Sequence, residues 1–223
     1  MVEQGSRRPS DWPRLFAIAC DLLDQVDKNS GGYPFEWSFG GGTAMMIQIG
    51  HRESHDIDIF IDDPQLLGFL DPAKADIVFR ERPASYDGDA ARFQKFAFAD
   101  LGEIDFIVSG HLTATPFESR EIEARTVKLE TIPEIITKKV YFRGSDITPR
   151  DIFDIAAAAR THRNQMIGAL RGFPAQVEAA LVRLDRLNPE FVARTIGQLM
   201  ILPAFSDLTD RSLDVARDLL REV

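Results

Sequence analysis

Asp56 and Asp58 alternate with Ile57, Ile59 and Ile61. On a strand, residues two apart point to one face, so both carboxylates project to one side while the isoleucines pack on the other. Paired carboxylates so placed suit divalent cations, since two Mg²⁺ ions about 4 Å apart need several such oxygens to clamp a phosphate. Upstream, Gly40-Gly41-Gly42 precedes a short apolar segment, and thirteen residues separate Gly42 from Asp56. Glycine lets the backbone turn sharply and approach a ligand. The helix that starts there offers unpaired N–H groups and partial positive charge to phosphate. A lone Asp-x-Asp is more often a solvated strand face, and a lone glycine turn a plain connection. Together, at this spacing, they describe a place to hold a triphosphate beside a cation. A third acid is expected on a neighbouring strand. Glu103-Ile104-Asp105-Phe106-Ile107-Val108 supplies Asp105, read as metal ligand and general base for an attacking hydroxyl.

Cations follow later in the chain. Lys138-Lys139 lies in a segment of helical pattern after Pro133, with Arg143 one turn beyond Lys139. Adjacent helical positions diverge by about 100°, so one lysine can face a cleft while the other does not. A cleft lysine would neutralise phosphate charge. Thr148 suits an N-cap and Pro149 the first helical position, which puts Asp151 in the first turn. Asp151 there either orients Lys139 or Arg143 or contacts a nucleotide. His51 and His55 beside Asp56 are weak grounds for a transition-metal site. No Gly-x-x-x-x-Gly-Lys-Ser/Thr, His-Glu-x-x-His or Gly-x-Ser-x-Gly pattern occurs.

These residues need elements to hold them. The periodicity predicts a helix over Pro9–Asp27, a strand over Trp37–Phe39, a helix over Thr43–Ile49 stopped by Gly50, and a strand over Ile57–Ile61. A helical turn is expected at Pro64–Leu70. Further strands are expected at Ile77–Arg80, Phe93–Phe98 and Ile104–Val108, with one or two more in Ile122–Leu129. After Pro133 the pattern turns helical: Glu134–Phe142, Pro149–His162, Pro174–Leu187, Pro189–Met200 and Leu208–Leu220. The fold class is therefore α+β: a mixed-sheet part over 1–130 and an all-helical part over 131–223, packed together without a flexible linker.

Net charge is −9 over 223 residues, and it is uneven. Residues 1–130 hold 13 basic and 23 acidic side chains, and residues 131–223 hold 13 and 12. That balance excludes a constitutive, sequence-independent nucleic-acid binder; any such contact should be local and biased to the second part. Cys20 is the single cysteine, so disulfides and cysteine-rich zinc sites are excluded. No transmembrane run or apolar signal core is present, and a reducing, cytoplasmic location without membrane partners is expected.

The stretch Gly41-Gly42-Thr43-Ala44, then Gly50-His51-Arg52-x-Ser54-x-Asp56-Ile57-Asp58-Ile59-Phe60, resembles the nucleotidyltransferase AbiEii/AbiGii toxin family, within the DNA polymerase beta-like nucleotidyltransferase superfamily. Glu134-Ile135-Ile136-Thr137-Lys138-Lys139-Val140 with Arg143, and Arg150-Asp151-Ile152-Phe153-Asp154, extend the likeness across roughly residues 38–160. The resemblance implies a nucleotidyltransferase-type core in which Asp56, Asp58 and Asp105 hold two Mg²⁺ ions. It implies that Gly41, Gly42 and Thr43 lie against an NTP triphosphate, that Lys139 (or Lys138) and Arg143 contact it, and that Asp151 is the acid of the second lobe. Many relatives are toxins with a cognate antitoxin, and some transfer nucleotides to tRNA ends. The leading expectation is thus Mg²⁺-dependent transfer of NMP to RNA or tRNA. The alternatives are a small-molecule, antibiotic-type acceptor and a nucleotide- or partner-binding protein without turnover.

Overall fold

The computed structural model describes residues 9–223. The first of its helices, α1 (Trp12–Asn29), starts three residues later than periodicity suggested, because Asp11 is the N-cap and Pro13 sits in the first turn. It buries Leu15, Ile18, Leu22 and Val26 along one stripe. Strand β1 (Trp37–Gly40) runs into helix α2 (Gly41–Ile49), which ends at Gly50 in the left-handed region with φ 59°. The remaining strands are β2 (Ile57–Ile61), β3 (Ser85–Gly88), β4 (Phe93–Phe98), β5 (Gly102–Val108), β6 (Phe117–Ile122) and β7 (Arg125–Glu130). Helices α3 (Ile132–Arg143), α4 (Pro149–Leu170), α5 (Pro174–Arg186), α6 (Pro189–Ile196) and α7 (Ser212–Arg221) complete the order.

The seven strands make one mixed sheet in the order β3-β4-β5-β2-β1-β7-β6. β2 lies between antiparallel β1 and parallel β5 at its centre. Cα partners share a face of the sheet. Phe39 pairs with Ile59 and stacks on Phe16 of α1 at 5.0 Å, so α1 covers the isoleucine face of β2. Phe60 and Asp58 look the other way, where Lys138 of α3 lies 3.7 Å from the Phe60 ring. The acid face is thus the one the later helices approach. Buried residues from both parts belong to one hydrophobic cluster.

One expected strand fails for an identifiable reason, and the two-strand reading of Ile122–Leu129 holds. Ile77–Arg80 is not a strand: the Val78 N–H and C=O both bond the Gln25 side chain, at 2.9 and 2.8 Å, instead of a ladder. The strand of that region is β3, whose Ser-Tyr-Asp-Gly is wholly exposed and carries no apolar alternation. Ile122–Leu129 belongs to a hairpin of β6 and β7, turned at Glu123 and Ala124 with φ 47° and 60°. Helix α4 also runs eight residues past His162, whose φ of −123° breaks its regularity. Among the described residues no helix is long and apolar enough to cross a membrane.

Candidate active site

Gly40, Asp58 and Asp105 form a row of Cα partners across β1, β2 and β5, and Lys95 of β4 extends it. Asp56 stands just before β2. Its Oδ1 accepts from the Glu103 N–H at 3.2 Å, and its carbonyl accepts from the Thr43 hydroxyl at 2.5 Å. That last bond ties the first turn of α2 to the acids. The isoleucines between them are buried, and Asp56 and Asp58 are half-buried on the opposite side, as alternation requires.

Gly41 has φ 68°, and a Cβ there would collide with the Asp58 carboxylate. Only glycine allows the turn to lie directly against that acid. A Cβ on Gly42 would come within 2.8 Å of the Ser54 hydroxyl and 3.0 Å of the Arg52 guanidinium. The backbone at the start of α2 is therefore packed directly against Asp58, Ser54 and Arg52. No side chain caps this helix start, which suits it to an anion.

The acids disfavour one another's charge. Burial, then the charge of Asp56, pushes the Asp58 carboxyl up, against the pull of Lys139, Arg143 and Arg150. Burial, then the charge of Asp58, raises Asp105 to about 7, although Lys95 lies 3.4 Å away. Positive charge placed between the carboxylates would favour their ionised forms. The donor set is all oxygen, which fits Mg²⁺. Among the described residues, the one trio of potential ligands whose atoms all lie within 4.8 Å of one another is elsewhere: His111, Glu130 and Glu134. That trio already has its cation. Lys138 is 2.6 Å from Glu130 and 3.6 Å from Glu134, while the Leu112 and Thr113 N–H groups also bond Glu134. Asp56, Asp58 and Asp105 stand wider apart, two of them drawn to separate partners.

The two lysines are set apart by this packing. Lys138 is 4 % exposed inside the Glu130 pair, so the expectation that it contacts phosphate is corrected: its ammonium is spent on buried carboxylates. Lys139 points the other way. Its Nζ is 2.8 Å from Asp151 and 3.1 Å from Asp154. Arg143 also pairs with Asp151, at 3.0 Å, and remains half-exposed. Asp151 is fully buried, and its carboxylate is taken up by Lys139 and Arg143. It also closes a capping box with Thr148 at the start of α4. Burial opposes its ionisation, but Lys139 and Arg143 outweigh that and hold it at about 2.

Four further residues, Ser54, Arg52, Arg150 and Asp154, lie here that spacing did not single out. Arg150 bonds the Ser54 hydroxyl at 3.2 Å and lies 3.9 Å from Asp56, bridging α4 to the acid loop. Arg52 grips Asp154 through Nε and Nη2 at 2.7 and 2.8 Å. Their places in the quoted motif stretches were the only signal, since neither periodicity nor charge pattern marks them. The glycine turn and the acids lie on the sheet, and Arg150 of α4 reaches them, while Lys139 and Arg143 of α3 gather at Asp151.

The model of the family described as nucleotidyl transferase AbiEii toxin, type IV toxin–antitoxin system, matches residues 31–217. The chain belongs to this family. It is a nucleotidyltransferase, and the AbiEii assignment brings with it an NTP substrate and a toxin–antitoxin setting. No curated protein matches this AbiEii-family chain. Among solved structures it is similar to MenT4, a nucleotidyltransferase toxin of Mycobacterium tuberculosis, at 15% identity and a TM-score of 0.51, over 95% of this chain and 84% of that one. That likeness establishes the shared fold. The antibiotic-resistance factor ANT(2'')-Ia is similar at 16% identity and a TM-score of 0.49, over 76% of this chain and 96% of that one.

Proposed function

We propose that this AbiEii-family enzyme transfers NMP from an Mg²⁺-bound NTP to a hydroxyl of RNA, a tRNA 3′ end in particular, as the toxin of a pair with a cognate antitoxin. The observation that carries the reading is the row Gly40–Asp58–Asp105, with Lys139, Arg143 and Arg150 across the cleft. The bond formed joins the acceptor oxygen to the α-phosphorus, and the bond to the bridging oxygen of pyrophosphate breaks. Asp56, Asp58 and Asp105 would hold Mg²⁺, which supplies Lewis-acid stabilisation of charge on the phosphoryl oxygens. Gly41, Gly42 and Thr43 present the start of α2 to the triphosphate. Lys139 and Arg143, oriented by Asp151, neutralise its outer charge. Asp105 lies farther from the glycine turn than Asp58 and is the group placed to take the proton of the attacking hydroxyl.

A cationic small-molecule acceptor is the second reading, favoured by the acid surplus of residues 1–130. The test is incubation with each α-labelled NTP, Mg²⁺, and either total RNA or an aminoglycoside. Label in RNA, abolished when the RNA 3′ end is first oxidised with periodate, supports the RNA reading. Label in the aminoglycoside alone replaces it with the second.

A further inference from the structure

The proposed transfer leaves unused a buried seam between the loop after α2 and the middle of α4's first half. His51, Arg52 and Asp154 are there at 0%, 1% and 0% exposure. The Asp154 carboxylate receives both Arg52 bonds, lies 2.9 Å from His51 Nε2 and 3.1 Å from Lys139 Nζ. Lys139 is therefore held by two carboxylates, Asp151 and Asp154, while 12% of its side chain stays exposed. An ammonium has three donors, so donor capacity is left for a ligand outside.

The balance of charge decides where that ammonium rests. Asp154 is fully buried and ionised, held well below the usual carboxylate range because Arg52 and Lys139 outweigh the cost of burial. A buried carboxylate without its partner is costly enough to draw in whatever cation is near. Arg52 meets that need with a bidentate grip, the strongest form of such a pair. Without Arg52 the nearest charged group is Lys139, since burial disfavours the protonated form of His51.

We propose that Arg52, supported by His51, is a positioning residue for NTP binding: by saturating Asp154 it keeps the Lys139 ammonium turned to the cleft instead of drawn into the seam. The inference rests on the reading of Lys139 as a triphosphate contact. Its consequence should fall on the outer phosphates of the nucleotide, which Lys139 is read to contact.

The test is binding of Mg²⁺ with the four α,β-methylene nucleoside triphosphates and the matching monophosphates to wild type, Lys139→Met, Arg52→Gln, and Arg52→Gln combined with Asp154→Asn. Arg52→Gln is expected to weaken triphosphate binding about tenfold, the scale of one charge-assisted bond. Monophosphate binding should change less than about twofold on the same reasoning. The double variant removes the carboxylate that pulls Lys139 inward, so it should recover most of the lost affinity. It also keeps the test alive if Arg52→Gln alone does not fold, since replacing both members of a buried ion pair is tolerated better than breaking it. In that case the double variant must bind triphosphate near the wild-type level. Equal losses for triphosphate and monophosphate, or a double variant no better than the single, overturn the inference. If wild type binds and Lys139→Met does not weaken it, the reading of Lys139 itself fails, and the inference with it. If Lys139→Met weakens binding but Arg52→Gln leaves it unchanged, only the inference fails.

Discussion

Ionising Asp105 works against the fold. Its carboxyl titrates at about 7 in the folded chain against an ordinary value of 3.8, because it is buried beside Asp58. Between those values the folded state holds more protons than the unfolded one, so this group lowers stability as pH rises through the window. A bound cation reverses the sign. Mg²⁺ should therefore raise Tm little at about pH 5 and clearly at about pH 8, an increment that thermal scans at several pH values would measure. Asp105→Asn should raise Tm of the metal-free protein at pH 8 and abolish the Mg²⁺ increment; a Tm that falls at pH 8 would count against the reading of the acids. Asp151 behaves oppositely. It is held at about 2, so the stability it contributes is present above 3.8 and is lost as pH falls through 2. The acids were legible in the sequence because strand alternation is a two-residue rule, and Asp56-Ile57-Asp58 states it within one segment. Arg52 and Asp154 were not, since 102 positions separate them and only tertiary packing makes them a pair.

Helix α2 and the start of α4 are the elements that turn these residues into a cleft. Gly41→Ala would force a side chain at φ 68° into the Asp58 carboxylate. It should cost more than about 1 kcal/mol of stability in urea titrations, with Mg²⁺ and NTP affinity both falling. An alanine there with wild-type stability and affinity would contradict the close packing of the turn on the acid. Thr148→Ala removes the cap that also bonds Asp151 at 2.7 Å. It should cost about 1 kcal/mol by the same titration and weaken NTP binding through looser Lys139 and Arg143. Elements with strong local chemistry were readable: prolines and caps located α3 to α6, and alternation located β2, β4 and β5. β3 has four exposed residues and becomes a strand only through its pairing with β4. Ile77–Arg80 has strand-like residues, yet a glutamine of α1 takes its hydrogen bonds.

Across the whole molecule, charge and topology assign different tasks to the two parts of the chain. Residues 1–130 carry every strand and an acid surplus of ten, while residues 131–223 are helical with a balance of +1. The sheet thus presents the acids, and the later helices bring Lys139, Arg143 and Arg150 to face them. With so few basic groups to spare, RNA should bind with a shallow salt slope, a few phosphates at most, measured as log affinity against log salt. A slope near −10 would instead point to an extended basic surface absent from the described residues. The family match and the order of the motifs made the nucleotidyltransferase core recognisable from residues 38–160; the helices beyond offered no motif, and their place on the sheet emerged only from the fold. The most direct measurement follows the phosphates. NTP labelled at either the α or the γ position is incubated with Mg²⁺ and RNA, beside Asp58→Ala. The account predicts that α-label enters the acceptor and γ-label leaves as pyrophosphate, with at least about a hundredfold loss in the variant. γ-label in the acceptor, or no Mg²⁺-dependent binding or transfer of any NTP, would contradict it.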